Sequence, residues 1–200
     1  MSKWTDFVGK IESAQDETGS NLALLFNPRI EMLPIAAAYF DDPFLPFGKA
    51  IINATKKLVC AYVFDLASYL SIGAAGAVAL ERTIRYVPDN RLKILHGAFS
   101  NDGFSAMADI TGFGVDAITI TDELYLKTYL DNAPFAALIA QSGTIDASKL
   151  PDVGGIYWLD HSLLMFNYKT TLRVTDNSVL FAGKYDDYAE KTREVLEKWR

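Results

Sequence analysis

The sequence predicts an α/β protein, arranged as a compact (β/α)8 barrel of the TIM type. Eight short apolar runs recur along the chain, and most are continuous, which is typical of parallel strands buried on both faces. Helical stretches separate most of these runs, as they do in right-handed βαβ crossovers. The length of 200 residues lies at the lower limit for this fold, roughly 200 residues. The barrel must therefore have short connections.

Each element follows from the local pattern of apolar and polar residues. The eight predicted strands are residues 22–26, 34–40, 58–64, 92–95, 115–120, 134–140, 155–159 and 178–182. The predicted helices are residues 47–57, 72–87, 103–113, 123–132 and 185–199. We expect a single α/β domain over 1–200, in which 1–20 form a leading helix across the bottom of the barrel. Because two connections offer no full helix, an open doubly wound parallel sheet is the structural alternative.

Composition excludes several classes of protein. Half of the residues are apolar and 22% are charged, a globular balance that argues against a disordered chain. The net charge of −6, without any run of Lys and Arg, argues against a nucleic-acid partner. Cys60 is the single cysteine, so neither a disulfide framework nor a thiolate zinc site is expected. A reducing, cytoplasmic location fits this cysteine usage and the absence of an apolar leader.

Residues 58–80 form the most apolar part of the chain, with Asp65 as the only formal charge. The stretch is long enough to cross a bilayer. However, an aspartate near the bilayer centre costs about 2.5–3.5 kcal/mol. The first half favours a strand and the second half, rich in Ala and Gly, favours a helix. We therefore predict a buried strand followed by a packed helix, without a membrane partner.

In either parallel architecture, functional groups collect at the carboxyl ends of the strands. Asp65 stands out there because it lies between two apolar segments and must be paired or face a cavity. The helix expected from Ile72 begins too far downstream for Asp65 to cap it. The ordinary role of a polar residue at a strand end is a turn or a helix cap. The candidates for acid–base catalysis are Asp65, His96, Asp160 and His161.

Gly183 and Lys184 are the predicted anion site. They lie between the last predicted strand and the last helix, where barrels often bind phosphate. Backbone amides at such a turn attract anions, and a lysine adds positive charge. Gly73 and Gly76 open another helix, but close helix packing explains them equally well. The sequence contains no P-loop, dinucleotide fingerprint or zinc-protease motif.

Two segments resemble a known family. Residues 42–52 (DPFLPFGKAII) and 59–66 (VCAYVFDL) resemble the second and third strand region of the orotidine 5′-phosphate decarboxylase superfamily. There, a Lys-x-Gly-x-Pro-Leu stretch and a helix lead to a strand ending in Asp-x-Lys-x-x-Asp. Residues 94–97 (ILHG) resemble the fourth strand, and 179–184 (VLFAGK) resemble the last, where Gly-Arg binds the substrate phosphate. The resemblance implies a phosphate-binding barrel.

The catalytic positions of that superfamily do not match. Asp65 corresponds to the first Asp of the motif, whereas Ala67 takes the Lys position and Leu70 the second Asp position. The lysine position on the preceding strand falls at Tyr39. Protonation of a carbanion by lysine is therefore not available, and the resemblance implies phosphate binding rather than decarboxylation.

The leading hypothesis is a divergent phosphate-binding barrel that acts on a small phosphorylated metabolite, a sugar phosphate or nucleotide. Lyase- or isomerase-like chemistry suits it, because such reactions need only positioned proton transfer. We expect a homodimer and no organic cofactor, with Mg²⁺ left open.

Two alternatives come from other classes. The first is a non-catalytic module for binding or self-assembly, favoured by aromatic residues expected near strand ends; these are Tyr39, Phe44, Phe47, Tyr69 and Phe104. The second is a metal-dependent aldolase that uses Asp65, His96 and Asp122 with Mg²⁺, Mn²⁺ or Zn²⁺.

Overall fold

The computed structural model describes residues 3–99, 102–132, 136–141, 146, 157–159, 163–165 and 171–200. Its strands are β1 Leu22–Phe26, β2 Ala61–Asp65, β3 Leu92–Phe99, β4 Ala117–Ile120, β5 Ala137–Gln141, β6 Tyr157–Leu159, β7 Leu163–Met165 and β8 Thr171–Val174. Its helices are α1 Lys3–Thr18, α2 Ile35–Ala38, α3 Phe44–Thr55, α4 Leu66–Leu70, α5 Ala74–Tyr86, α6 Leu126–Asn132, α7 Asn177–Leu180 and α8 Tyr188–Trp199. Short 3₁₀ turns occur at Ile30–Met32, Asp102–Ala108 and Glu123–Tyr125.

The strands pair in chain order and close into a barrel, because β8 also pairs with β1. Pairing is parallel from β1 to β6 and between β8 and β1, whereas β7 is antiparallel to both of its neighbours. The predicted α/β class and its parallel strands are confirmed. A regular (β/α)8 repeat is not confirmed. Strand β7 is antiparallel to β6 and β8, and antiparallel neighbours need no crossover helix between them. The open doubly wound alternative is wrong, since the strand order never reverses.

The core lies on both faces of the sheet. On β2, Tyr62 and Phe64 are completely buried beneath the helices, and the Phe64 ring stacks on Phe26 of β1 at 5.3 Å. The Phe47 ring of α3 stacks on Tyr188 at 5.4 Å and so fixes α8 to the barrel wall. Burial of each such side chain contributes about 1.5–3 kcal/mol. Continuous apolar strands are therefore needed, because each strand faces both the barrel interior and a helix.

Helix α1 closes the amino-terminal end, or bottom, of the barrel. Its Lys10 ammonium lies 2.8 Å from both carboxylate oxygens of Asp116, the residue before β4. Gln15 Nε2 donates to the carbonyl of Thr171 at 2.9 Å, where β8 begins. Ile11, between these two polar contacts, is completely buried. One amphipathic helix thus covers the bottom with a buried apolar face and anchors itself by charged and amide groups.

The predicted strand at 34–40 is wrong. These residues contain α2, in which the amides of Ala37 and Ala38 donate to the carbonyl of Pro34 at 2.9 and 3.0 Å. Alanine has the highest helix propensity, and proline is well tolerated at a helix start. The apolar pattern predicted a buried strand, but α2 lies on the surface. Ile35 at its start and Tyr39 directly after it are exposed.

The predicted last strand at 178–182 is also wrong. Helix α7 begins there, and the Asp176 carboxylate caps it by accepting from the Ser178 amide at 2.8 Å. The actual last strand is β8, whose side chains alternate between half-buried and buried. Its Arg173 guanidinium lies 5.4 Å from the centre of the Trp199 ring. A polar, alternating strand does not show the continuous apolar run on which the prediction depended. Strand β7 was not predicted at all.

Among the described helices, none combines the length and apolar character that a bilayer crossing requires. Residues 58–80 contain β2, α4 and the first half of α5. The predicted change from strand to helix within this stretch is therefore confirmed.

Candidate functional site at the barrel mouth

Four polar residues form a row across the carboxyl ends of β1 to β4. The β2–β3 register pairs Asp65 with His96, and the β3–β4 register puts Thr119 at the level of His96. The β1–β2 register puts Asn27, the residue after β1, at the level of Asp65. Phe64, the preceding residue on β2, packs outward against α4. Because side chains alternate along a strand, these four residues face the barrel interior. We call them the mouth row.

Asp65 is half-buried and hydrogen-bonded. Its Oδ1 accepts from the Ala67 amide at 3.2 Å, and its Oδ2 accepts from Ser68 Oγ at 2.5 Å. Asp65 is therefore the N-cap of α4, a role that the sequence interpretation set aside. The reason is that α4 begins at Leu66, directly after β2, whereas the sequence indicated a helix only from Ile72. The exposed part of the Asp65 carboxylate faces the barrel mouth.

His96 contacts the next strand through Thr119. Its Nδ1 lies 3.0 Å from Thr119 Oγ1. The same hydroxyl accepts from the Gly97 amide at 3.0 Å and donates to the Gly97 carbonyl at 3.1 Å. The β3–β4 register shifts between Leu95 and Phe99, so this side chain replaces backbone partners at the irregularity. The sequence did not single out Thr119, because threonine is common in β-strands and this one lies inside a predicted strand.

Asn27 provides an unpaired polar atom at the mouth. Its side chain is only 5% exposed, and its Nδ2 donates to Asn177 Oδ1 at 2.6 Å. Within the described part of the chain, Asn27 Oδ1 has no hydrogen-bond partner. A buried oxygen without a donor costs about 1–3 kcal/mol, and the N–H or O–H of a ligand would remove that cost. The sequence did not point to Asn177, because α7 was predicted as a strand at 178–182.

Gly183 does not follow a strand, and its lack of a side chain serves packing. A Cβ at Gly183 would lie 2.4 Å from the Cα of Tyr188, inside helix α8. Packing against α8 thus explains the glycine at this position, and the role of Gly183 in anion binding stays a prediction. Lys184 is exposed, and its carbonyl accepts from the Ile35 amide at 3.3 Å. The Lys184 side chain borders a groove of about 360 Å³ between the loop after β1 and the link from α7 to α8.

The other candidate residues are Asp160, His161 and Asp122. Asp160 and His161 lie outside the described residues. Asp122 Oδ1 accepts from the Leu124 amide at 2.9 Å and so caps a 3₁₀ turn. Over the described ranges, no three His, Cys, Asp or Glu side chains come together in a way that could hold a metal ion. The aldolase hypothesis therefore finds no metal centre in that part of the molecule.

The aromatic residues proposed for an interface are mostly core. Phe44, Phe47 and Tyr69 are completely buried, and Phe104 is half-buried against the core. Tyr39 alone among them is strongly exposed, at 85%. Other exposed apolar side chains are Phe40, which follows Tyr39, and Ile35 and Tyr185, which line the groove beside Lys184.

The strand count also corrects the position of the decarboxylase motif. Because 34–40 is helical, Asp65 ends the second strand, whereas the motif was matched to the third. The third strand, β3, reads LKILHGAF and contains no aspartate. Its lysine, Lys93, binds Asp89 at 3.1 Å near the bottom of the barrel. Nowhere in the 200 residues does a lysine follow an aspartate by two positions, so the Asp-x-Lys-x-x-Asp pattern is absent.

These features define an α/β barrel with a polar site at the carboxyl ends of its first four strands. The chain is similar to curated orotidine 5′-phosphate decarboxylases. That of Herpetosiphon aurantiacus is 33% identical over 134 residues, 64% of this chain and 50% of that protein. That of Thermomicrobium roseum is 33% identical over 118 residues, 57% of this chain and 42% of that protein. The chain thus spans about half the length of these relatives. No protein-family model matches it.

Solved structures agree on the fold. The Leishmania donovani OMP decarboxylase superposes with a TM-score of 0.53 at 24% identity, covering 74% of this chain and 57% of that one. The Plasmodium berghei orotidine 5′-monophosphate decarboxylase gives 0.56 at 15% identity, covering 70% and 62%. These structures support the fold, and the two sequence relatives confirm the resemblance to the orotidine 5′-phosphate decarboxylase superfamily.

Proposed function

We propose that this chain binds a nucleoside monophosphate, or a closely similar phosphorylated metabolite, at the barrel mouth. The observation that carries this proposal is the mouth row: four polar side chains that share one level in a barrel similar to orotidine 5′-phosphate decarboxylases. In parallel barrels, ligands bind at this end of the strands. No cofactor is part of the proposal.

Two parts of the mouth suit the two parts of such a ligand. Asn27 Oδ1 lacks a donor among the described residues and would accept a hydrogen bond from a base or sugar. Lys184, on the link from α7 to α8 and beside the loop that leaves β1, would offer the phosphate a positive charge. A charge-assisted bond from an ammonium to a phosphate is about twice as strong as a neutral one. Asp160 and His161 remain proposed members of the same site.

Orotidine 5′-phosphate decarboxylation itself is not part of the proposal. Strands β1 to β5 carry one lysine, Lys93, and its ammonium binds Asp89 away from the mouth. The proposed chemistry is proton transfer, in which His96 takes a proton from one ligand atom and returns it to another, as in an isomerase or lyase. Asp65, next to His96 in the register, would stabilise the imidazolium that forms.

Titration calorimetry with UMP, uridine and inorganic phosphate tests the proposal. We expect UMP to bind most tightly, uridine more weakly, and phosphate weakest. We expect orotidine 5′-monophosphate to bind without loss of orotate absorbance. Failure of every nucleotide to bind would overturn the proposal, and decarboxylation would overturn its statement on chemistry.

A charge reversal tests the proposed position of the phosphate. Lys184→Glu is expected to weaken UMP binding by about 1.5–3 kcal/mol, the value of a charged hydrogen bond, while uridine binding stays unchanged. Lys198→Glu, an equal charge change on the exposed end of α8, is the matched control. Equal losses in both variants would remove Lys184 from the site.

The second candidate function is self-assembly through the rim of the barrel. Tyr39 is 85% exposed, and Phe40 is 56% exposed next to it. Exposed aromatic groups of this kind are enriched at interfaces. Light scattering should then give the mass of a dimer for the wild type and of a monomer for Tyr39→Ser. A monomeric wild type at high concentration would contradict this candidate.

A further inference from the structure

The Thr119 hydroxyl makes three contacts, and their chemistry fixes the direction of each. A hydroxyl has one hydrogen to donate and two lone pairs that accept. The Gly97 amide can only donate, and it does so to Thr119 Oγ1 at 3.0 Å. The Gly97 carbonyl can only accept, at 3.1 Å, so it receives the hydroxyl hydrogen. The third contact, at 3.0 Å, joins Thr119 Oγ1 to His96 Nδ1.

One role remains for that third contact. Because the hydroxyl hydrogen is committed to the Gly97 carbonyl, His96 Nδ1 must donate to the remaining lone pair of Thr119. We infer that Thr119 is a positioning residue that holds the neutral His96 ring with its hydrogen on Nδ1 and its lone pair on Nε2.

The surroundings of Thr119 make it a rigid partner. Its side chain is completely buried on β4, and the β3–β4 irregularity ties its hydroxyl to both backbone groups of Gly97. Turning the hydroxyl hydrogen away would leave the buried Gly97 carbonyl without this donor, and a change of the Thr119 rotamer would remove the partner of the Gly97 amide as well. The tautomer of His96 is therefore set by a strand irregularity rather than by a carboxylate, the orienting group often found beside histidine.

The consequence for chemistry rests on the proposed function. A ring that carries hydrogen on Nδ1 can accept a proton only at Nε2. Nε2 is thus the atom that takes a proton from the ligand and later returns it, while Nδ1 keeps its bond to Thr119 throughout. His96 lies between Asp65 on β2 and Thr119 on β4. The Asp65 carboxylate would therefore lie beside the ring when the ring is charged.

Two-dimensional ¹⁵N NMR of the imidazole nitrogens tests the inference directly. The chain has two histidines, so a His161→Gln background leaves His96 as the only ring. At alkaline pH and without ligand, we expect the spectrum of a neutral ring protonated at Nδ1. A ring protonated at Nε2 would overturn the inference. Since no ligand is present, this result is independent of the binding test of the proposed function.

Variants of Thr119 show whether the hydroxyl sets the tautomer. Thr119→Val is expected to shift the ring toward the Nε2–H form, and Thr119→Ser is expected to restore the Nδ1–H form. Thr121→Val, on the same chain segment, is the matched control and should leave the spectrum unchanged. If Thr119→Val does not fold, the wild-type and Thr119→Ser spectra still decide, because loss of the Nδ1–H form in Thr119→Ser would contradict the role.

Discussion

The two ends of the barrel differ in how their polar groups are satisfied. At the bottom, Lys10 binds Asp116 at 2.8 Å, and Arg91, only 5% exposed, binds Glu17 at 2.9 Å. At the mouth, Asn27 keeps an oxygen without a partner among the described residues. In barrels of this kind the bottom serves stability and the mouth serves function. The ion pairs at the bottom fit this division, but Arg173 Nε on β8 is also buried without a hydrogen-bond partner among the described residues.

Removal of apolar contact at the bottom should have the largest effect. Ile11→Ala deletes a completely buried side chain of α1, and such changes cost about 2–5 kcal/mol. Urea unfolding measures this loss, and the UMP affinity of the folded fraction should stay unchanged. Ile35→Ala, at a position 56% exposed, is the control and should change stability by less than about 0.5 kcal/mol. Loss of UMP affinity in Ile11→Ala would show that the two ends are coupled.

A methyl group at Gly183 should act on packing. Gly183→Ala places a carbon 2.4 Å from Tyr188 Cα, and overpacking of this kind costs about 1–3 kcal/mol. Gly9→Ala, in α1 with nothing within 4 Å of the new Cβ, should instead stabilise by about 0.5–1 kcal/mol through helix propensity. Thermal unfolding should show a lower melting temperature for Gly183→Ala and a higher one for Gly9→Ala. Normal stability with lost UMP binding in Gly183→Ala would assign Gly183 to the ligand site after all.

At the mouth, Asp65 variants separate the cap from the charge. Asp65→Ala removes the acceptor for the Ala67 amide and should cost about 1 kcal/mol of stability, the usual value of an N-cap. Asp65→Asn keeps an acceptor oxygen without the charge, so we expect a smaller stability loss. Turnover, once a substrate is found, should fall in both variants. Full turnover in Asp65→Asn would limit Asp65 to its capping role.

The smallest expected effect is on the pH dependence of stability, because ionisable side chains buried at the bottom keep their protons in the folded state. Burial raises the pKa of Cys60 to about 12 from an ordinary 9.0, and burial likewise raises the pKa of Tyr62. Above pH 9 the unfolded thiol loses its proton while the folded thiol keeps it, so the unfolding free energy falls as pH rises. Between pH 8 and 10 the Cys60 contribution is about 1 kcal/mol. Cys60→Ala should show a shallower decline, and an unchanged slope would contradict this assignment.

The parts that sequence predicted are those set by local pattern. Strands β1 to β5 appear as apolar runs, and Asp65 and His96 appear as polar residues where two such runs end. The errors at 34–40 and 178–182 have one cause: short helices that contain several apolar residues resemble buried strands in composition. β8 was missed for the opposite reason, since it alternates and includes Arg173.

The missed parts of the site depend on register between strands. Thr119 meets Gly97 and His96 across the pairing of β3 with β4, and no property of the threonine itself predicts which residues of the neighbouring strand it will contact. The bond from Asn27 to Asn177 joins residues 150 positions apart. Contacts of this kind become visible only once the barrel is closed.

Closure of the barrel also determines the order in which its parts fold and open. The seam between β1 and β8 is held by backbone pairing, by the Leu25 amide donating to Thr175 Oγ1 at 3.0 Å, and by the Asn27–Asn177 bond. Chain segments this distant pay the highest loop-closure entropy, so we expect the seam to form last during folding and to open first. A ligand that binds Asn27 would then slow opening of the barrel. Hydrogen exchange at the Leu25 amide, with and without UMP, reports that opening, and equal rates would show that the ligand does not hold the seam.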